Sequence, residues 1–352
     1  MDSNQKNIHW LDTLRTLALI GVIIIHVSTP TVKMIYGKNM EFWWIGNILD
    51  SAVRFSVPLF LMLSGATMLG KEYKSGEFYK KRILRVLIPF LFWMAVYWIY
   101  RWLMLEPVRK PETFNGILQW GRDLFLKEGI SKHFWYIYMI LFIYLFIPFI
   151  GKELRNIKKT VILILLMIWA VLTFICMDIP LNLYNWSGEY LSKIFGYFLY
   201  SGYLVLGFFL SKLSTDSKKI KYFALSFFIL SIFISAVSTY ILSMHTHRLN
   251  LRMYSYLNIN TIIQSISIFI WFKDSVIKNK ILSILQRLIS NYSYGIYLVH
   301  ILVIGVFFNN GIFWTMAHPL ISLPLVTLMT LITSFIIIYI LRKIPFGKYI
   351  SG

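Results

Sequence analysis

One apolar stretch, Ile8 to Val27, carries three groups able to do chemistry: Asp12, Arg15 and His26. Arg15 and His26 are 11 positions apart. In a helix that is about three turns, so both side chains leave one face, roughly 16 Å apart along the axis. Titratable groups inside an apolar span are expensive, usually face the bundle interior, and are functional candidates by default. A bland reading also exists, in which Arg15 snorkels to the interface and His26 is a satisfied interfacial histidine. Asp12, three residues before Arg15, shares its face and would orient the guanidinium.

Other polar groups recur along the chain. In KKRILRVLIPF, Arg82 and Arg85 are three apart and share a helix face. Two such guanidiniums could clamp the phosphates of a nucleotide-containing donor, or simply anchor the segment to lipid headgroups. In NILDSAVRFSVPLFLMLSGA, Asp50 and Arg54 are spaced for an i,i+4 ion pair, either a buried structural pair or part of a substrate site. In HFWYIYMILFIYLFIPF, His133, Trp135, Tyr136 and Tyr138 read best as an aromatic belt at the outer interface; the alternative is a platform for a sugar ring. SNYSYGIYLVH ends at His300, which falls near mid-membrane and must face the bundle, as a structural hydrogen-bonding residue or as part of a site. His245 and His247 have no third ligand near them, so no metal site is read. The single cysteine, Cys176, lies in an apolar run and allows no intrachain disulfide. There is no Gly-rich phosphate loop, HExxH or GxSxG.

The elements that position these residues are membrane helices. A 352-residue chain that is 58% hydrophobic and 14% charged is not a water-soluble domain. Ten apolar spans are expected, at 8–28, 42–70, 86–105, 133–151, 160–177, 193–211, 221–243, 256–272, 289–308 and 320–341. The second is overlong and holds Asp50, Arg54 and Pro58, which suggests a tilt or a break. The loop at about 106–132 has room for a short surface helix. MDSNQKN lacks the basic start of a cleaved signal, so the first span is expected to be retained. With the N-terminus inside, the inner loops collect 22 Lys and Arg residues and the outer loops 9. That bias places both termini in the cytoplasm and accounts for the net charge of +20 without nucleic acid. The fold expected is an all-α polytopic bundle of about ten transmembrane helices, forming one domain over residues 1–352 with no appended soluble domain.

Four motifs together resemble the acyltransferase-3 family of integral-membrane acyltransferases. They are Arg15 to His26 on the first span, the RxxR pair Arg82 and Arg85, VRFSVPLFLMLSG from Val53 to Gly65, and SYGIYLVH from Ser293 to His300. The first two spans and HFWY look most similar to the enterobacterial common antigen O-acetyltransferase branch. The chain departs from the family segment at Val53, where a serine is usual, which leaves the role of Arg54 open. The resemblance implies transfer of an acyl group, commonly acetyl from acetyl-CoA, to a hydroxyl of a cell-surface polysaccharide or lipid-linked sugar at a bacterial inner membrane. It implies no resident cofactor: acyl-CoA is a substrate. His26, Arg15 and Asp12 would be the catalytic group. Arg82, Arg85 and Arg15 would hold the donor, and Asp50, Arg54, His133, Trp135 and His300 would meet the acceptor.

On this reading the nucleotide rests at the Arg15 end and the pantetheine arm threads towards His26. His26 then acts as base on the acceptor hydroxyl or carries the acyl group transiently. The rival class is a transporter or flippase with the same buried charges lining its path. The chain lacks the matching half-repeats with broken helices that many transporters have. A purely structural scaffold would not need four polar groups in two helices.

Overall fold

The computed structural model describes residues 3–104, 113–123, 130–178, 183–215 and 217–352. Arg109, Lys110 and Lys127 of the expected outer loops lie outside the described residues. The architecture is all-α, with no strand among the described residues. In chain order the helices are α1 Ser3–Ile35, α2 Met40–Ala52, α3 Ser56–Met68, α4 Ser75–Met104, α5 Phe114–Asp123, α6 Trp135–Asn156, α7 Lys159–Asp178, α8 Leu183–Ser211, α9 Lys218–His245, α10 Ile259–Phe272, α11 Lys280–Asn309, α12 Pro319–Lys343 and α13 Gly347–Ile350. Helix α5 is the short helix for which the 106–132 loop had room.

Among the described residues, nine helical stretches are long and apolar enough to cross a membrane, with α2 and α3 together counting as one. The tenth expected span, 256–272, contributes only the 14 residues of α10, about 21 Å of helix against a hydrocarbon core of about 30 Å. A 3-10 turn, Arg252–Tyr254, and irregular chain make up the rest. Lys273, just past α10, donates through Nζ to the Leu213 carbonyl at 2.7 Å, and Lys221 Nζ reaches the Lys273 carbonyl at 3.4 Å. Segment 246–272 therefore returns the chain to the end at which α9 began. Its irregular part satisfies its own carbonyls through side chains, as backbone away from water must. Asn258 donates to the Arg252 carbonyl, Asn260 to Met253, Arg54 to Tyr254, Thr261 to Ser255 and Tyr203 to Tyr256.

The break in the second span is real and equally well patched. Helix stops at Ala52 and resumes at Ser56, with Pro58 in the first turn of α3, where its missing N–H does no harm. Buried Gln264 of α10 bridges the gap. Its amide donates to the Ser51 carbonyl at 2.8 Å, and its oxygen accepts from the Phe55 N–H at 2.9 Å.

Helix α1 stands between two apolar cores. Trp10, Leu14 and Ala18 pack on the core built with α3, α6, α8 and α10. Leu19, Val22, Ile23 and Val27 pack on the core built with α4, α11 and α12. The outward faces of α7 and α9 are strongly apolar and exposed, as lipid-facing surfaces should be. Helices α3 and α8 approach to backbone contact: the Leu204 carbonyl fills the space of a Gly65 Cβ, and the Met62 carbonyl that of Gly207. Only glycine permits this approach, the usual device of tight membrane-helix packing.

Candidate active site

The site begins as a seam between α1 and α11. On α1, Asp12, Arg15, Leu19, Val22 and His26 follow a 3-4-3-4 spacing; on α11, Gln286, Ser290, Ser293, Tyr297 and His300 follow a 4-3-4-3 spacing. Such stripes meet along one line when helices pack nearly parallel. Gln286 donates to the His9 carbonyl at 2.8 Å, and Thr16 donates to the Gln286 carbonyl at 3.1 Å. Ser290 donates to Asp12 at 2.6 Å, and further along His26 stands beside His300. Both indices rise together, so the two helices run in the same direction. Helix α4 runs with them, pairing Val86 with Tyr294 and Tyr97 with Leu298 and Leu302.

At the Arg15 end, Asp12 accepts from both Arg15 (3.2 Å) and Ser290, and Arg15 in turn donates to Ser290 at 2.9 Å. The guanidinium is thereby fixed while about a third of its side chain stays exposed. It opens into a cavity of about 390 Å³ that Arg82 and Arg85 of α4 also line. The three arginines expected at a donor site thus meet in one concave space. Sequence reasoning missed the rest of the lining. Ser64 and Thr67 of α3, Tyr144 of α6 and Ser293 of α11 add hydroxyls, and Tyr136 and Tyr297 lie there too. The 3-4 spacing that leads from Ser290 to His300 was the available signal.

Tyr297 connects this cavity to the next feature. Its hydroxyl donates to the His133 carbonyl at 2.5 Å, and its ring stands 5.5 Å from His133 and 5.6 Å from His300. His26, His133 and His300 form a triangle, with ring centroids 5.2 Å apart for His26–His300, 5.2 Å for His133–His300 and 6.5 Å for His26–His133. His133 sits in the 3-10 turn Lys132–Phe134 that leads into α6. The belt reading of that stretch is therefore corrected: His133 is buried, Tyr136 packs on Tyr297, and Trp135 stacks on Tyr256 at 6.0 Å and meets Tyr200 at 5.4 Å. The pattern of alternate polar and aromatic residues could not distinguish a membrane rim from a turn entering the bundle.

The ring nitrogens differ in what holds them. His300 Nδ1 lies 2.6 Å from the Tyr297 carbonyl, which fixes it as the protonated nitrogen, and its Nε2 has no partner. His133 Nδ1 pairs with the Ser131 hydroxyl at 2.8 Å, and its Nε2 is likewise unpartnered. His26 is half-buried, whereas His133 and His300 are buried. Pro30, four residues on, has no N–H to give the His26 carbonyl, so the helix ladder is interrupted one turn past the imidazole.

Beyond the triangle, away from the arginine cavity, lies a second cavity of about 430 Å³. It is lined by Thr29, Lys33, Arg54, Tyr200, Arg252, Tyr254, Ser255 and Tyr256, among others. The expected Asp50–Arg54 ion pair is present and buried, and Asp50 also accepts from Thr29 at 3.0 Å and Ser28 at 3.4 Å. The Arg54 guanidinium lies 4.1 Å from the centre of the Tyr254 ring. No cluster of His, Cys, Asp or Glu suited to a metal ion is found among the described residues.

The structure is thus an all-helical multi-pass bundle with three imidazoles packed together between two cavities. The chain belongs to the acyltransferase-3 family, whose acyltransferase-domain model matches residues 8–341. It is therefore a membrane acyltransferase. No curated protein and no solved structure matches it.

Proposed function

We propose that the protein is an O-acyltransferase that moves an acyl group, acetyl by family habit, from acyl-CoA to a hydroxyl of a cell-surface polysaccharide or lipid-linked sugar. One observation carries this reading: the three imidazoles lie between an arginine-lined cavity and a tyrosine-lined one. The nucleotide and phosphates of the donor rest on Arg82, Arg85 and Arg15, with Asp12 and Ser290 orienting Arg15. The pantetheine arm passes Tyr136 and Tyr297 towards His26. The acceptor enters from the Arg54 side, with Trp135 supporting the tyrosine wall.

In the transfer, the acceptor oxygen bonds to the thioester carbonyl carbon as the carbon–sulfur bond breaks. His26 takes the hydroxyl proton and returns it to the CoA thiolate. A stepwise route through acyl-His26 uses the same atoms, with the imidazole nitrogen attacking first. His300, whose Nε2 has no partner, and His133 position the His26 ring and the hydroxyl. The distribution of Lys and Arg supports a cytoplasmic arginine cavity, with both termini on that side of a bacterial inner membrane. The likeness to the enterobacterial common antigen branch supports a sugar acceptor.

The test is release of free CoA by purified protein given acetyl-CoA with and without sugar acceptors. Turnover that requires acceptor and vanishes in His26→Ala is expected. Movement of glycan across vesicles without any CoA release would overturn the proposal in favour of transport.

A further inference from the structure

The arginine cavity stops short of the imidazoles. None of the three histidines lines it. Between Arg15 and His26 the same face of α1 carries Leu19 and Val22, both buried and both outside its lining. Among the described residues that do line it, Tyr297 is the one whose ring meets the imidazoles, 5.5 Å from His133 and 5.6 Å from His300. Tyr297 is buried and held twice. Its hydroxyl donates to the His133 carbonyl, and its own carbonyl takes the Nδ1–H of His300. It is therefore a partition, latched between the arginines and the histidine triangle. On the other side, His26 is half-buried, and Thr29, nearly one turn on, lines the second cavity.

The surroundings of the partition leave its ring one way to move. Tyr136 packs edge-to-face on it at 5.7 Å and is backed by Phe60. On the His133 side, Phe134 is buried, and Tyr97 is pinned by donating to the Leu298 carbonyl and accepting from the Leu302 N–H. The open space that the ring already faces is the arginine cavity. Resting on the acyltransferase reading above, we propose that Tyr297 sets the length of the acyl group, yielding to acetyl and excluding longer chains. A thioester bound for His26 must turn the ring into the cavity in which its own pantetheine arm lies. Ring and acyl chain then compete for one volume, and close-packed walls do not absorb added methylenes.

Permeabilised membrane vesicles bearing the full chain test this, since they bring the natural acceptor with them. Acetyl-, butyryl- and hexanoyl-CoA are supplied in turn, and CoA release is read against vesicles bearing His26→Ala. Acetyl-CoA should be used about tenfold or more faster than butyryl-CoA, the usual cost of surplus methylenes in a closed pocket, and hexanoyl-CoA should be used least. Tyr297→Ala removes the ring and should bring both longer donors close to acetyl-CoA. Tyr297→Phe keeps the ring without the latch and should keep the acetyl preference. Gain of a longer substrate is a result that structural damage alone would not give. Should the alanine variant not fold, Tyr297→Leu is the second variant, with gain of butyryl-CoA expected. A parent that uses all three donors alike, or ring-less variants that keep the parent's acetyl preference, would overturn the proposal and leave the acyltransferase reading standing. No CoA release from any donor would overturn both.

Discussion

The two cavities on either side of the histidine triangle are both basic, yet they are built differently. The one at Arg15 is formed by continuous helices, with Arg82 and Arg85 one turn apart on α4 and Arg15 locked to Asp12 and Ser290. The one at Arg54 is formed where α-helices fail, at the α2–α3 break and along the 252–256 stretch, a single 3-10 turn followed by extended chain. A regular helix presents a fixed comb of side chains, which holds its cations at one set spacing. A broken helix lets a cation and its counterion sit deep without lipid contact, provided every freed backbone group finds a partner. Gln264 and the side chains on the 252–256 carbonyls are those partners.

The comparison breaks most completely at the histidines between the cavities. His26→Ala should lower acceptor-dependent CoA release by about 10²- to 10⁴-fold, the usual range for a general base. A melting temperature and donor binding close to the parent would confirm that chemistry alone was lost. Arg54→Ala strands Asp50 in the interior and should lower stability by about 3–5 kcal/mol, as loss of one partner of a buried pair does. Thermal unfolding in detergent reads this, and Arg54→Ala with Asp50→Ala should recover part of it. Gly65→Val drives a side chain into the Leu204 carbonyl and should cost about 1–3 kcal/mol, through overpacking that neither cavity causes. At the other cavity, Arg85→Ala should raise the KM for acetyl-CoA up to about tenfold with kcat little changed, because an exposed cation contributes roughly 1 kcal/mol after screening. Asp12→Asn is the smallest step. It keeps the Ser290 hydrogen bond but frees Arg15, and a several-fold rise in donor KM is expected, with no change in acceptor binding.

The sequence made much of this legible. The helical class and the broken second span follow from apolar runs interrupted by Asp50, Arg54 and Pro58. The pairing of Arg15 with Asp12, of Arg54 with Asp50, and the shared face of Arg82 and Arg85 follow from helical spacing, because partners within four residues need no tertiary information. The short α10 was not legible, since an apolar run does not reveal where α-helix gives way to a 3-10 turn and irregular chain. Nor was the inward turn of His133, whose neighbours Trp135 and Tyr136 have the composition of a membrane rim.

By itself, then, the sequence determined which residues could do chemistry and along which helix faces they lie, since periodicity is a local property of the chain. The tertiary structure decided that His26, His133 and His300, from three distant segments, form one triangle, and that the cations divide into two cavities around it. Those proximities depend on which faces pack together and on buried polar groups such as Gln264 that hold irregular backbone in place. No spacing within a single helix encodes them.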